Sequence, residues 1–499
     1  MTLKTNLLLL SLLSCLPGAA HAQADNFTAI AAEVDFSKKV RDWDGFGFNY
    51  VETAQTLDYT NAPQEYGGFS LLNEGQKQEI IELVFGNEGL KVGLVKMFLD
   101  PYHQEQPGGA FDHTRTTQHM RYFVKQGYAK TKESGRDLTI ITTMYGPPAW
   151  ATKQKEIRGR DLDPVQKENL ARYMIDWAKF LRQQEGLPVK YISLHNEGED
   201  WMRWETDGIT HEALNYGHDY NLFWPPQQVV DFLSFMPDML NKEGLNDVKL
   251  TPGETYSWDK FFKWGYPYAI TDNNRALNNL GLITSHGFLH FGYGRWNSYH
   301  LSTGTDIIRE KRPELHAWVT STSWKNMDAE FVTEIYNNIY YSKVNGLIPW
   351  AGIQQPNKWY GKEGDPNPGC AIWVKPDGSY EVRRGYYYYK QVSAAGLPGM
   401  AVVRTQAQES EVSIIGFGAN GTPNPDAMVL INVGPAARVV HLSVKGSKAK
   451  NFLAYRTSEG ERRLNIPVER FTPIGDFPVQ QGKIVVEVPA RSVTTFYGQ

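Results

Sequence analysis

The chain is poor in cysteine. Of 499 residues only Cys15 and Cys370 are cysteine, and Cys15 lies in a segment that reads as removable. What remains cannot form an intrachain disulfide, so burial alone must hold the fold. Long apolar runs are scarce too: beyond the N-terminus none reaches the ~18 residues that would span a bilayer. Neither sign of charge dominates, and a net −4 gives no reason to expect nucleic acid or a membrane surface as partner. No His/Cys/Asp cluster has metal-ligand spacing and no glycine-rich phosphate loop follows a strand, so neither metal nor cofactor is expected. There is no low-complexity tract and no short-period repeat, and a monomer is expected.

The N-terminus reads as an address. Lys4 is followed by the apolar run Leu7 to Leu13, the helix breaker Pro17-Gly18, and the small-x-small site Ala20-His21-Ala22. That pattern predicts a secretory signal over residues 1–22, with mature protein starting near Gln23 and secreted or periplasmic. A rival is the stretch LLSC, Leu12 to Cys15, which loosely resembles a lipoprotein cleavage box. Leu13 fits that box poorly, and lipid anchoring through Cys15 stays as the minor alternative.

Hydrophobic residues make up 41% and charged residues 21%, ordinary values for a chain that buries a core. Strand and helix patterns alternate through its middle. Asp163 can cap a helix with Pro164 in its first turn, and Leu170, Met174, Trp177 and Leu181 recur at helical spacing until Gly186. The run 189–196 follows as a strand. A second helix around Val229 to Leu240, stopped by Gly244, leads to a strand over 248–254. Further strand-like runs lie at 44–50, 90–100, 138–150, 280–288, 315–324 and 344–352. Eight alternating units over roughly 350 residues imply an α/β fold, a (β/α)8 TIM barrel, whose chemistry sits at the C-terminal ends of its strands. After Gly399 the runs at 428–433, 439–444, 483–488 and 492–498 alternate with turn residues, which predicts an antiparallel all-β side module of about a hundred residues. The strand-like stretch Phe27 to Phe36 is expected to join it. The boundaries are 1–22 signal, 23–42 strand of the side module, 43–395 barrel, and 396–499 a C-terminal β-sandwich.

One strand end stands out. The stretch YISLHNEGEDW, Tyr191 to Trp201, runs from an apolar strand into Asn196, Glu197 and Glu199. Solvated loop acids are the bland explanation. A catalytic carboxylate at a barrel mouth is the sharper one, since partial burial among aromatics can raise a glutamate into the range of a general acid. Aromatic content of 13%, with 14 Trp and 27 Tyr, suits either a large core or flat faces that stack on sugar rings.

Asn-Glu at the end of the fourth strand resembles the acid/base motif of the clan A glycosidases. The stretches DGFGFNY (Asp44–Tyr50), YGPPAWATK (Tyr145–Lys153) and YYYYKQVSAAGLPGMAVVR (Tyr386–Arg404) are similar to segments of glycoside hydrolase family 30, and the likeness spans nearly the whole mature chain. It implies hydrolysis of a β-linked glycan with Glu197 as general acid. It departs at one place. The family's seventh strand reads roughly Trp-x-Thr-Glu, the Glu being the nucleophile, and here the matching residues are Trp318, Val319, Thr320 and Ser321. A serine hydroxyl is a poor nucleophile at a sugar carbon without a base. The chain could be an engineered nucleophile knockout, could have lost catalysis, or could use another carboxylate.

Glu254, ending the fifth strand, is the expected replacement. Its bland reading is a structural acid bonded to a neighbouring loop, and Glu199 is the fallback. Asn49, Tyr145, Trp150, Asn196, His286, Ser321, Trp324 and Trp350 lie at strand ends and suit a sugar subsite, though His286 could equally be a satisfied core histidine. Lys96, where family members carry Arg, is expected to be structural. Arg295 beside Trp296, and Arg203 beside Trp204, admit an acidic sugar. The rival from another class is a carbohydrate-binding protein on a hydrolase scaffold.

Overall fold

Each of the eight mid-chain runs folds as a short parallel strand within the limits read from sequence. The computed structural model describes residues 29–52, 65–114, 116–209, 221–288, 301–355, 369–460 and 467–499. The strands are β1 (Gly45–Asn49), β2 (Leu94–Leu99), β3 (Thr139–Met144), β4 (Val189–Ser193), β5 (Lys249–Thr251), β6 (Ile283–Ser285), β7 (Ala317–Thr322) and β8 (Gly346–Pro349). They form one eight-stranded sheet in the order β5-β4-β3-β2-β1-β8-β7-β6. The seam between β5 and β6 is bridged by the parallel pairs Leu250 with Leu280 and Thr255 with Ser285, which closes the barrel.

Helices cover its outside for the expected reason. In Lys167–Gln183 the residues Leu170, Met174, Trp177 and Leu181 are all buried, one apolar stripe facing the strands. One detail differs: Asp163 caps a short 3-10 turn, Pro164–Gln166, by accepting from Val165 N at 3.1 Å, and the α-helix proper starts after it. Among the described residues no helix is long and apolar enough to cross a membrane.

Inside the barrel, side chains stack in layers. Leu94, Ile141, Tyr191, Leu282, Trp318 and Ile348 form a separate apolar cluster. Beyond it, toward the strands' C-terminal ends, come Lys96, Thr143, Glu254, His286 and Ser321. An apolar plug thus underlies a polar layer.

The nine-stranded second sheet is built from both ends of the chain. Ala29–Asp42 pairs antiparallel with Ala401–Ala407 and parallel with Arg438–Lys445, so the module is not purely antiparallel. Residues from strands distant in the order, such as Phe452, Val34 and Val486, share one apolar cluster, which shows that the sheet curls on itself. The edge strand Glu469–Pro478 gave no clear strand signal because it contains two prolines, tolerated where one side lacks a ladder partner. The sheet meets the barrel through Trp43, whose ring touches Phe46 and Phe417, and through Gln391, which donates to Thr457 Oγ1 at 2.8 Å.

Gly47 on β1 faces the plug, where an added Cβ would lie 2.5 Å from the Ile348 side chain and 2.9 Å from the Leu94 carbonyl oxygen. Gly47→Val is expected to lower the unfolding free energy by about 1–3 kcal/mol, as overpacking does. Urea unfolding of the variant against the parent measures it.

Candidate active site

The stretch that opens the site is held by its own backbone. Glu197 adopts φ 41°, in the left-handed region that costs a non-glycine residue free energy. Several bonds hold it there. Its N–H donates to the Glu254 carbonyl at 2.7 Å, and Glu254 N–H donates to the His195 carbonyl at 2.9 Å. Gly198 N–H donates to His195 Nδ1 at 3.2 Å, and the Asn221 amide donates to the Asn196 carbonyl. Asn196 and Glu254 form an isolated parallel bridge. The turns after β4 and β5 are therefore laced together. Gly253 completes them, since its φ of 100° and the His195 ring beside it leave no room for a Cβ. Burial pushes His195 down to about 3, so this ring is neutral.

One imidazole joins the two expected acids. His286 Nδ1 lies 2.8 Å from Glu197 Oε1, and its Nε2 lies 3.1 Å from Glu254 Oε2. Glu254 Oε2 also receives the Lys96 ammonium, and Oε1 accepts from Thr143 Oγ1 at 2.6 Å. Lys96 Nζ donates onward to Ser321 Oγ at 3.1 Å. Burial would raise the Glu254 carboxyl, but the Lys96 ammonium and His286 outweigh it and hold the group at about 2. Glu254 is thus ionised throughout the ordinary pH range. The Glu254 side chain is 0% exposed and that of Glu197 11%, so solvent reaches the chain of groups from the Glu197 end.

The other expected residues divide into three groups. Asn49, Tyr145 and Trp350 stand near the polar layer: Asn49 Oδ1 accepts from Gly352 N at 3.0 Å, and Trp350 stacks on Tyr145 at 6.5 Å and meets Phe98 edge-on at 6.0 Å. Ser321 turns toward Lys96 where the β7–β8 register shifts between Val319 and Thr322. Trp150 is half-buried, its Nε1 donating to the Gln104 carbonyl at 3.0 Å. Trp324 is a correction. It is fully buried against Phe331 and Tyr389, at ring separations of 5.0 and 5.3 Å, and belongs to the core rather than a sugar subsite. Glu199 stands apart from the His286 chain, accepting from Tyr256 N at 2.9 Å with Lys260 nearby. Arg295, Trp296, the Arg203 side chain and the signal segment lie outside the described residues.

Lys96, expected to be structural, is the buried counter-charge of Glu254, and Thr143 joins it without having been singled out in the sequence. The signal for Lys96 was present: it is the one charge in the strand LVKMFL, every residue of which is buried. A lysine in such a run demands a buried counter-charge. Thr143 carried no such signal, because threonine is an ordinary strand residue.

The class that this architecture defines is the (β/α)8 barrel with a β side module assembled from both chain ends. Solved structures of that fold include the catalytic domain of GH30 xylanase C from Talaromyces cellulolyticus, at 16% identity, 94% of this chain, 100% of that chain and a TM-score of 0.68. An endo-beta1,6-glucanase matches at 15% identity, 94% of each chain and 0.66. A conserved exported protein from Bacteroides fragilis matches at 14%, 93% of this chain, 99% of that chain and 0.66. The chain shares the fold of these structures. No family model matches the sequence, and neither does any curated protein.

The buried ion pair makes two measurable demands. Lys96→Met leaves a carboxylate uncompensated and is expected to cost about 3–5 kcal/mol of stability. Glu254 has a folded-state pKa of about 2 against an ordinary 4.5, so its contribution is complete above 4.5 and drains away as pH falls through 2. Melting temperature followed from pH 6 to 2 should fall less steeply in Glu254→Gln than in the parent, although the variant starts lower.

Proposed function

We propose that this protein hydrolyses β-linked glycosidic bonds. The observation that carries the reading is the Glu197–His286–Glu254 chain, which places two carboxyl groups at the C-terminal ends of neighbouring barrel strands with one imidazole between them. Glu197, the more open of the two, is the general acid that protonates the leaving oxygen. Glu254 is the second carboxylate. Its oxygens are engaged by Thr143, Lys96 and His286, so it acts in place as a fixed negative charge favouring the oxocarbenium-like transition state of glycoside cleavage. Trp150 and Trp350, the less covered of the strand-end aromatics, and Asn196 beside Glu197 are the proposed sugar contacts, whereas Asn49 and Tyr145 are as buried as Trp324.

The neighbours named a xylanase and an endo-beta1,6-glucanase make xylan and β-1,6-glucan the first substrates to try. Acidic polysaccharides follow because of Arg295 and Arg203. The signal-like N-terminus and the likeness to an exported protein support secretion, with residues 1–22 removed and the domain limits at 43–395 and 396–499.

A second reading has its own support. By the sequence resemblance Ser321 falls where a nucleophile is expected, and Glu254 is wholly covered, which suits a protein that holds a glycan without cutting it. Turnover decides between the two. If the parent binds glycans but is inert, and Ser321→Glu creates activity, the scaffold lacks only its nucleophile.

Glu197→Gln is expected to reduce kcat on natural glycan by about 10²–10⁴-fold with the melting curve retained. Activity within threefold of the parent would remove Glu197 from the acid's role. Proton NMR of the first product gives the stereochemistry. Inversion fits direct attack by water with Glu254 held in place as a charge, whereas retention requires a carboxylate that bonds the anomeric carbon and would overturn that role for Glu254.

A further inference from the structure

An isolated glutamate is ionised above about pH 4.3, and an ionised carboxylate has no proton to give a leaving group. The atoms around His286 determine how Glu197 keeps one. Glu254, ionised against Lys96, can only accept hydrogen bonds. Its Oε2 lies 3.1 Å from His286 Nε2, so that nitrogen carries a hydrogen. In a neutral ring the remaining nitrogen, Nδ1, is then a bare lone pair. It lies 2.8 Å from Glu197 Oε1, and two lone pairs do not meet at that distance without a proton between them. One proton therefore belongs to the Glu197–His286 pair.

We propose that His286 is the positioning residue that keeps Glu197 loaded with its transferable proton, and that Glu254 and Lys96 serve it by fixing the ring in the Nε2–H tautomer. The proposal rests on the glycosidase reading and moves His286 from sugar contact to proton control. Among the described residues, the charged and titratable groups facing the ring are Glu197 after β4, Glu254 after β5, Lys96 on β2 and the neutral His195. Burial and the Lys96 ammonium push the imidazole down, while the hydrogen bonds to Glu197 and Glu254 outweigh them and leave it above the ordinary histidine value. Groups this tightly joined titrate as a pair.

In the reaction the anomeric C–O bond breaks with its electron pair left on the departing oxygen, which takes the pair's proton. What remains is a carboxylate facing a bare Nδ1, an arrangement that favours recapture of a proton. Water forms the new bond to the anomeric carbon and releases one proton, which reloads the pair.

The test compares kcat/KM against pH for the parent and His286→Gln on the best natural glycan found. The alkaline limb is expected to move to lower pH by at least about one unit, because Glu197 then lacks the imidazole that shares its proton. A purely structural histidine would lower activity evenly, and an unmoved limb overturns the proposal. A second measurement needs no turnover. In protein labelled with ¹⁵N-histidine, the His286 signals, identified by their loss in His286→Gln, should show the Nε2–H tautomer on the alkaline side of the ring's titration. They should titrate above about 6.5 in the parent and lower in Glu197→Gln. A neutral ring in the Nδ1–H tautomer overturns it. An inert parent with the expected spectrum would instead sink the glycosidase reading and leave the proton assignment standing.

Discussion

The buried pairing of Lys96 with Glu254 is the constraint around which the barrel's upper half is arranged. Both side chains are wholly removed from water, and each such charge costs several kcal/mol unless a partner and further hydrogen bonds answer it. Thr143, His286 and Ser321 supply those bonds from three other strands. The apolar layer of Leu94, Tyr191, Trp318 and their neighbours lies beneath, and the ring of Phe98 stands 4.8 Å from the ammonium. Low polarity on these sides strengthens the attraction that remains. The same surroundings tie the geometry of five strands to one pair of atoms.

Function enters through the outer end of that network. Glu197 sits on a strained turn whose donors and acceptors are shared with the next strand, so its carboxyl cannot drift without disturbing Glu254. Strain at such a residue persists only where the surroundings over-determine it. Here His195, Asn221, Gly198 and Gly253 do so through bonds and close packing. The residues flanking the acid are thus as much part of its placement as the acid itself.

The barrel was readable in the sequence because its strands are short, apolar and separated by amphipathic helices, signals that survive without tertiary context. The side module was half readable: runs such as KIVVEV alternate cleanly, whereas the proline-bearing edge strand does not. Glu197, Glu254 and His286 could be named from their places at strand ends, but not their joining, which depends on a ring spanning two turns far apart in sequence. Trp324 shows the converse failure. A strand-end tryptophan can point into the barrel mouth or back among the helices, and the bulge beside Ser321 shifts the alternation by which the two would be told apart.

The placement of the first described strand has a bearing on how the molecule is made. Ala29–Asp42 lies between two partners contributed by residues beyond 400, pairing for example Ala32 with Ala407 and with Leu442. During synthesis its ladder groups on both sides have no mates until residues 401–445 have emerged. Contacts of such long sequence separation form slowly and late. The barrel's helices can gather around local strands much earlier. The completed side sheet then acts as a clasp whose two halves lie on either side of the whole barrel in the chain, so that a product cut short between residues 42 and 401 cannot fasten it.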